Sequence, residues 1–194
     1  MKGLNHFIIE LKIDFKDTFT TEGGLELYMN KSISQDKLSN RIAKVISTPC
    51  FHETVIKEGY QVMIDPTILY NQIYQGIKQD SINIVDKKKG WYMLEPKEVI
   101  LYREDSESEW IGYLENSLVE PVIETIGEQK VGEIIISTGS KQLIEGRATA
   151  KYMSKDIEAK NGDNLVINKN GGIPFWIDGK EFHWIRAIDI YATI

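Results

Sequence analysis

Phe7, Ile9, Leu11, Ile13 and Phe15 alternate with Ile8, Glu10, Lys12, Asp14 and Lys16. A period of two lays one apolar set on a single face, which predicts a half-buried strand. Shorter apolar or alternating runs predict further strands at residues 42–48, 60–64, 82–86 and 99–103, then at 118–123, 133–136, 147–153, 165–168, 175–177, 181–187 and 190–194. Gly23-Gly24, Pro49, Gly59, Pro66, Gly90, Asn161-Gly162 and Asn170-Gly171-Gly172 punctuate them as turns. Asp178-Gly179 separates Phe175-Trp176-Ile177 from Phe182-His183-Trp184. That dipeptide accepts positive φ, so a tight hairpin is expected there. Residues 17–40, rich in Thr, Ser, Gly, Asn and Asp, predict a long loop. Ile68, Leu69, Gln72, Ile73 and Tyr74 form a partial helical stripe, so a short helix is expected within residues 67–78. Nothing else asks for a helix, and the fold class is all-β.

The run Glu104-Asp105-Ser106-Glu107-Ser108-Glu109 carries four carboxylates and no apolar side chain. Like charges favour an extended, solvated chain, so residues 104–116 are expected to form an acidic linker between domains at 1–103 and 117–194. Charge follows the same division. Residues 1–103 hold 14 Lys/Arg and 13 Asp/Glu, whereas residues 104–194 hold 9 and 16. Duplex nucleic acid selects clustered basic surface, which the second half lacks. The apolar fraction of 42% over 194 residues supports packed cores and excludes a disordered tail. A single cysteine, Cys50, excludes an internal disulfide and predicts a reducing, cytoplasmic setting. No apolar run approaches the roughly 20 residues of a membrane helix, and no signal peptide is expected at the start.

The two halves repeat one order of pieces. The first runs from an apolar strand to Gly23-Gly24-Leu25-Glu26-Leu27, then Arg41-Ile42-Ala43-Lys44-Val45, Gly59-Tyr60-Gln61-Val62, Trp91-Tyr92-Met93-Leu94 and Glu98-Val99-Ile100-Leu101. The second runs from Val119-Glu120-Pro121 to Gly132-Glu133-Ile134-Ile135-Ile136, then Gly146-Arg147-Ala148, Gly162-Asp163-Asn164-Leu165-Val166, a hairpin ending in Arg186, and Asp189-Ile190-Tyr191-Ala192. Internal similarity of this kind defines the architecture before any single motif does. In order and motif the halves resemble the co-chaperonin GroES family, the second more closely than the first.

The resemblance implies two tandem GroES-like irregular β-barrels. It also implies a homo-oligomeric ring and a loop whose aliphatic triplet docks on a chaperonin. The loop residues would be Leu25, Glu26 and Leu27 in the first copy and Ile134, Ile135 and Ile136 in the second. Ring contacts would come from strands at the ends of the copies, through Phe7, Ile9, Leu11 and Ile100, and through Tyr191 and Ile194. The first copy departs from the pattern at Glu26, at Gly59-Tyr60 where the family has Gly-Asp, and at an insertion over residues 66–80. An alternative role is a non-enzymatic structural subunit of a bacteriophage virion or another symmetric assembly.

Chemical motifs are sparse. His6, His52 and His183 are scattered, and Cys50 with His52 has no second pair to complete a tetrahedral metal set. No phosphate-binding Gly-rich loop occurs, so no catalytic residue, cofactor or metal is expected. Lys87-Lys88-Lys89-Gly90-Trp91-Tyr92 could grip a single strand of nucleic acid by charge and stacking, or form a hairpin turn with solvated lysines. Ile134-Ile135-Ile136 is equally open between a docking triplet and a buried core strand. Trp91, Tyr92, Trp176 and Trp184 are expected in core or interface.

Overall fold

The computed structural model describes residues 2–11, 18–20, 26–28, 41–65, 68, 72–74, 77–79, 81–125, 129–131, 134–136, 141–177 and 179–194. The chain divides into two compact units, Met1–Ile111 and Gly112–Ile194. Among the described residues no α-helix occurs, and no helix is long and apolar enough to cross a membrane.

The first unit contains β1 (Phe7–Glu10), β2 (Thr18–Thr20), β3 (Glu26–Tyr28), β4 (Ile42–Ser47), β5 (Gln61–Ile64), β6 (Gln72–Tyr74), β7 (Ile77–Gln79), β8 (Ile84–Asp86), β9 (Trp91–Leu94) and β10 (Val99–Arg103), and the short β11 (Ile111–Gly112) straddles the boundary. Seven of these form one sheet in the order β11-β10-β5-β4-β1-β9-β8, and β2–β3 and β6–β7 are separate antiparallel pairs. The apolar alternation of β1 and β4 places Phe7, Ile9 and Val45 in the core with Ile64 and Leu94. The helix expected within residues 67–78 gives way to the hairpin β6–β7, with Tyr74 opposite Ile77. Its root is anchored, because the buried Ser81 Oγ donates to Ile68 O at 2.7 Å.

The second unit contains β12 (Asn116–Thr125), β13 (Gln129–Val131), β14 (Ile134–Ile136), β15 (Lys141–Tyr152), β16 (Asn164–Ile167), β17 (Ile173–Ile177), β18 (Lys180–Arg186) and β19 (Ile190–Thr193). Six form a sheet in the order β17-β18-β12-β15-β16-β19, and β13–β14 stands apart as an antiparallel pair. Val119, Ala148, Ala150, Leu165 and Ile185 form its core, with Ile157 and Ile190 packed against them. The expected hairpin is present, with Ile177 opposite Lys180. Neither sheet bonds its first strand to its last among the described residues, so both are open.

Each unit has the same order of connection. Read from one edge, the sheets run β8-β9-β1-β4-β5-β10 and β17-β18-β12-β15-β16-β19, and each sends a separate hairpin out between its first two long strands. The agreement reaches single hydrogen bonds. Gly59 N donates to Val45 O and Val45 N to Tyr60 O, as Gly162 N donates to Ala150 O and Ala150 N to Asp163 O. Both glycines have positive φ, +92° and +96°. A 3-10 turn precedes the last strand in each, with a carboxylate accepting a backbone N–H three residues back, Glu98 from Glu95 and Asp189 from Arg186. The hairpin β6–β7 and the short β11 have no counterpart among the described strands of the second unit.

The acidic stretch near the boundary of the units is more ordered than an extended linker. Asp105 Oδ1 accepts from Glu107 N, Ser108 N and Ser108 Oγ at 2.8–2.9 Å, which folds the acidic run into a turn. Those bonds hold its carboxyl below its usual pKa, the Ser108 hydroxyl contributing most. Trp110 is buried, with the Arg103 guanidinium 4.2 Å above its ring, so the chain is already packed at residue 110.

Candidate docking ribbons and sheet edges

The triplet Ile134–Ile136 lies on a ribbon that leaves the second sheet. Within the sheet β12 and β15 pair from Leu118–Tyr152 to Pro121–Ala148. The register then jumps to Ile123–Leu143, so one residue of β12 faces four of β15. A bulge of this kind bends the pair and re-aims the strands beyond it. Gly146 sits inside it at φ +73°, a conformation that β-carbons disfavour. Beyond the bulge Ile123–Leu143, Glu124–Gln142 and Thr125–Lys141 are paired with one another and with no other described strand. The ribbon then leads to the pair β13–β14, where Gln129, Lys130 and Val131 face Ile136, Ile135 and Ile134. The triplet's backbone therefore belongs to a two-stranded hairpin and not to the six-stranded core sheet. Two strands alone are marginally stable in water.

The first unit places its hairpin in the same position. Thr18, Phe19 and Thr20 face Tyr28, Leu27 and Glu26, which puts Glu26 and Leu27 on β3. Leu25 lies outside the described residues.

The residues expected at ring contacts divide. Phe7 and Ile9 are wholly buried, and β1 is bonded to β4 on one side and β9 on the other. Leu11 is also buried, and its N–H is bonded to Gly90 O at 2.9 Å. Ile100 is buried in β10, between β5 and β11. All four are buried, and β1 is paired on both sides, which corrects the expectation for them. Tyr191 and Ile194 are 65% and 67% exposed. Tyr191 is on β19, whose only partner among the described strands is β16, so a sheet edge is open there.

The remaining motifs are resolved locally. Lys87–Lys89 occupy the β8–β9 turn, where Asp86 Oδ1 accepts from Lys88 N and Lys89 N at 3.0 and 3.2 Å. Lys89 Nζ sits 4.3 Å from the centre of the Trp91 ring. This is the hairpin-turn alternative, with exposed lysines. Trp184 Nε1 donates to Asn116 Oδ1 at 3.0 Å, tying β18 to β12. Cys50 is exposed, and no three His, Cys, Asp or Glu residues gather into a metal-holding set among the described residues. Burial pushes the Glu98 carboxyl above its usual pKa, and nearby Glu95 and Asp65 add to the effect.

No protein-family model matches the chain. The co-chaperonin GroES of Methylacidiphilum infernorum (isolate V4) is 33% identical over 97 residues, an alignment that takes in 40% of this chain and 98% of that protein. The chain belongs to the co-chaperonin GroES family. The matched share is about the size of one of its two units, so a whole GroES protein corresponds to a part of this chain. Sequence patterning does not mark the exposed pair Ile123 and Leu143 at the root of the hairpin β13–β14. It predicts a strand from residue 147, past the bulge, whereas β15 extends back to Lys141. Gly146 is the available signal, since a glycine inside a strand often marks a bulge.

Proposed function

We propose that the chain is a tandem, non-enzymatic co-chaperonin. Each unit is a GroES-type domain, the chains assemble into a ring, and the hairpin carrying Ile134, Ile135 and Ile136 docks on a chaperonin. The observation that carries this reading is the shared order of connection in the two units, each with a hairpin held outside its main sheet. The open sheets curl into irregular barrels, and the location is cytoplasmic. Docking on an apolar groove fits the physics of the triplet. Each aliphatic side chain contributes about 1.5–3 kcal/mol when fully buried. Ordering the segment offsets much of that gain, so binding is reversible. The ring would be sealed at β19, where Tyr191 and Ile194 border an open edge, since such edges invite pairing with another chain.

Refolding of a denatured client by a chaperonin and nucleotide tests the proposal. Yield is expected to rise on adding the wild-type chain and to stay at the chaperonin-only level with Ile135→Glu. No effect of the wild type would refute it. The second role, a structural subunit of a virion or other symmetric assembly, draws on Glu26 in the first triplet and on the added hairpin β6–β7. Recovery of the chain from intact particles at fixed copy number would favour it.

A further inference from the structure

Past the bulge at residues 144–147, the β12–β15 ribbon carries two aliphatic side chains directly opposite each other, Ile123 and Leu143. They are 54% and 44% exposed. Directly opposed residues of an antiparallel pair project from the same face with β-carbons about 4.5–5.5 Å apart, so the two form one apolar patch. No other described strand is paired beside the ribbon here. Isolated apolar residues on a surface need no explanation, but an opposed exposed pair forms a contiguous patch.

We infer that Ile123 and Leu143 form a second contact point for the same chaperonin groove that takes Ile134–Ile136. The inference rests on the docking role proposed for that triplet. Its own support is continuity. Only residues 126–128 separate Thr125 from Gln129, and only 137–140 separate Ile136 from Lys141. The shorter connection spans no more than about 14 Å when fully extended. A partner holding the hairpin therefore lies within reach of the ribbon's root. A second copy of the chain is the competing occupant. The edge strands of the sheet available to it are β17 and β19, neither of which is adjacent to β12 or β15 in the sheet order.

The test uses the full chain with Ile123→Thr and Leu143→Thr together, since threonine keeps strand propensity while removing apolar surface. Affinity for a chaperonin with nucleotide is read by surface binding, alongside assembly mass and far-ultraviolet circular dichroism. The expected result is binding weaker by about tenfold, the equivalent of about 1.4 kcal/mol, with mass and spectrum unchanged. Ile123→Val with Leu143→Val should restore most of the affinity. Unchanged affinity of the threonine variant, while Ile135→Glu abolishes binding, overturns this inference alone. A fall in assembly mass with affinity per ring unchanged also overturns it, assigning the patch to a second copy. Absence of binding by the wild type would remove the docking role and this inference together.

Discussion

Gly112 shows how one atom can decide whether a unit holds together. A β-carbon there would lie 2.4 Å from Asn116 O and 2.5 Å from Ser154 N, both backbone atoms that cannot swing away. Gly112→Ala is therefore expected to destabilise the second unit by about 2–3 kcal/mol, the upper part of the usual single-substitution range. Urea unfolding followed by Trp fluorescence would measure it. Glu98 gives a prediction of opposite sign. Its carboxyl is raised by burial, so folding favours the protonated form. Stability from this group is present below the unfolded carboxyl pKa and is lost as pH rises through the folded one. Glu98→Gln keeps an acceptor for Glu95 N and removes the charge. It should unfold at a higher temperature than wild type at pH 7, and the difference should close as pH falls toward about 4. A constant difference across that range would contradict the burial argument.

Among the elements, alternation in Phe7, Ile9 and Leu11 marks a strand, but β1 ends at Glu10 and Ile8 on its other face is buried as well. The alternation does not say which strands flank that one, because side-chain period reports facing and not edge pairing. This is why the pattern suggests an interface for β1, which lies instead between β4 and β9. Residues 67–78 mislead for another reason. Ile68, Ile73 and Tyr74 match a helical stripe, but a short apolar run does not distinguish the two periods, and Ile, Tyr and Ile77 favour strands. The separation of the triplet's hairpin from the core sheet is not legible at all, since it depends on the bulge opposite Val122. The edge strand β19 can be altered at its exposed side chains alone. Tyr191→Lys with Ile194→Lys places charges on an exposed edge without touching the core, a device that blocks strand pairing. The chain should stay folded by circular dichroism while its sedimentation shifts to smaller species. Unchanged sedimentation would exclude this edge from the assembly.

For the whole molecule, the repeated order of pieces is the strongest sequence signal, and the structure adds that both sheets are wired alike. The boundary is less legible. Four carboxylates in six residues suggest an extended linker, but Asp105 gathers three hydrogen bonds that a charge count cannot foresee. Its lowered pKa means that this turn is held above the unfolded carboxyl pKa and loosens as pH falls through the folded one. On the proposed function, the second unit's hairpin docks on a chaperonin. Electron microscopy of a chaperonin mixed with the protein and nucleotide addresses it most directly. Docking through the triplet predicts capped particles with the wild-type chain and bare ones with Ile135→Glu, whereas bare particles with the wild type, or equal capping by the variant, would contradict it.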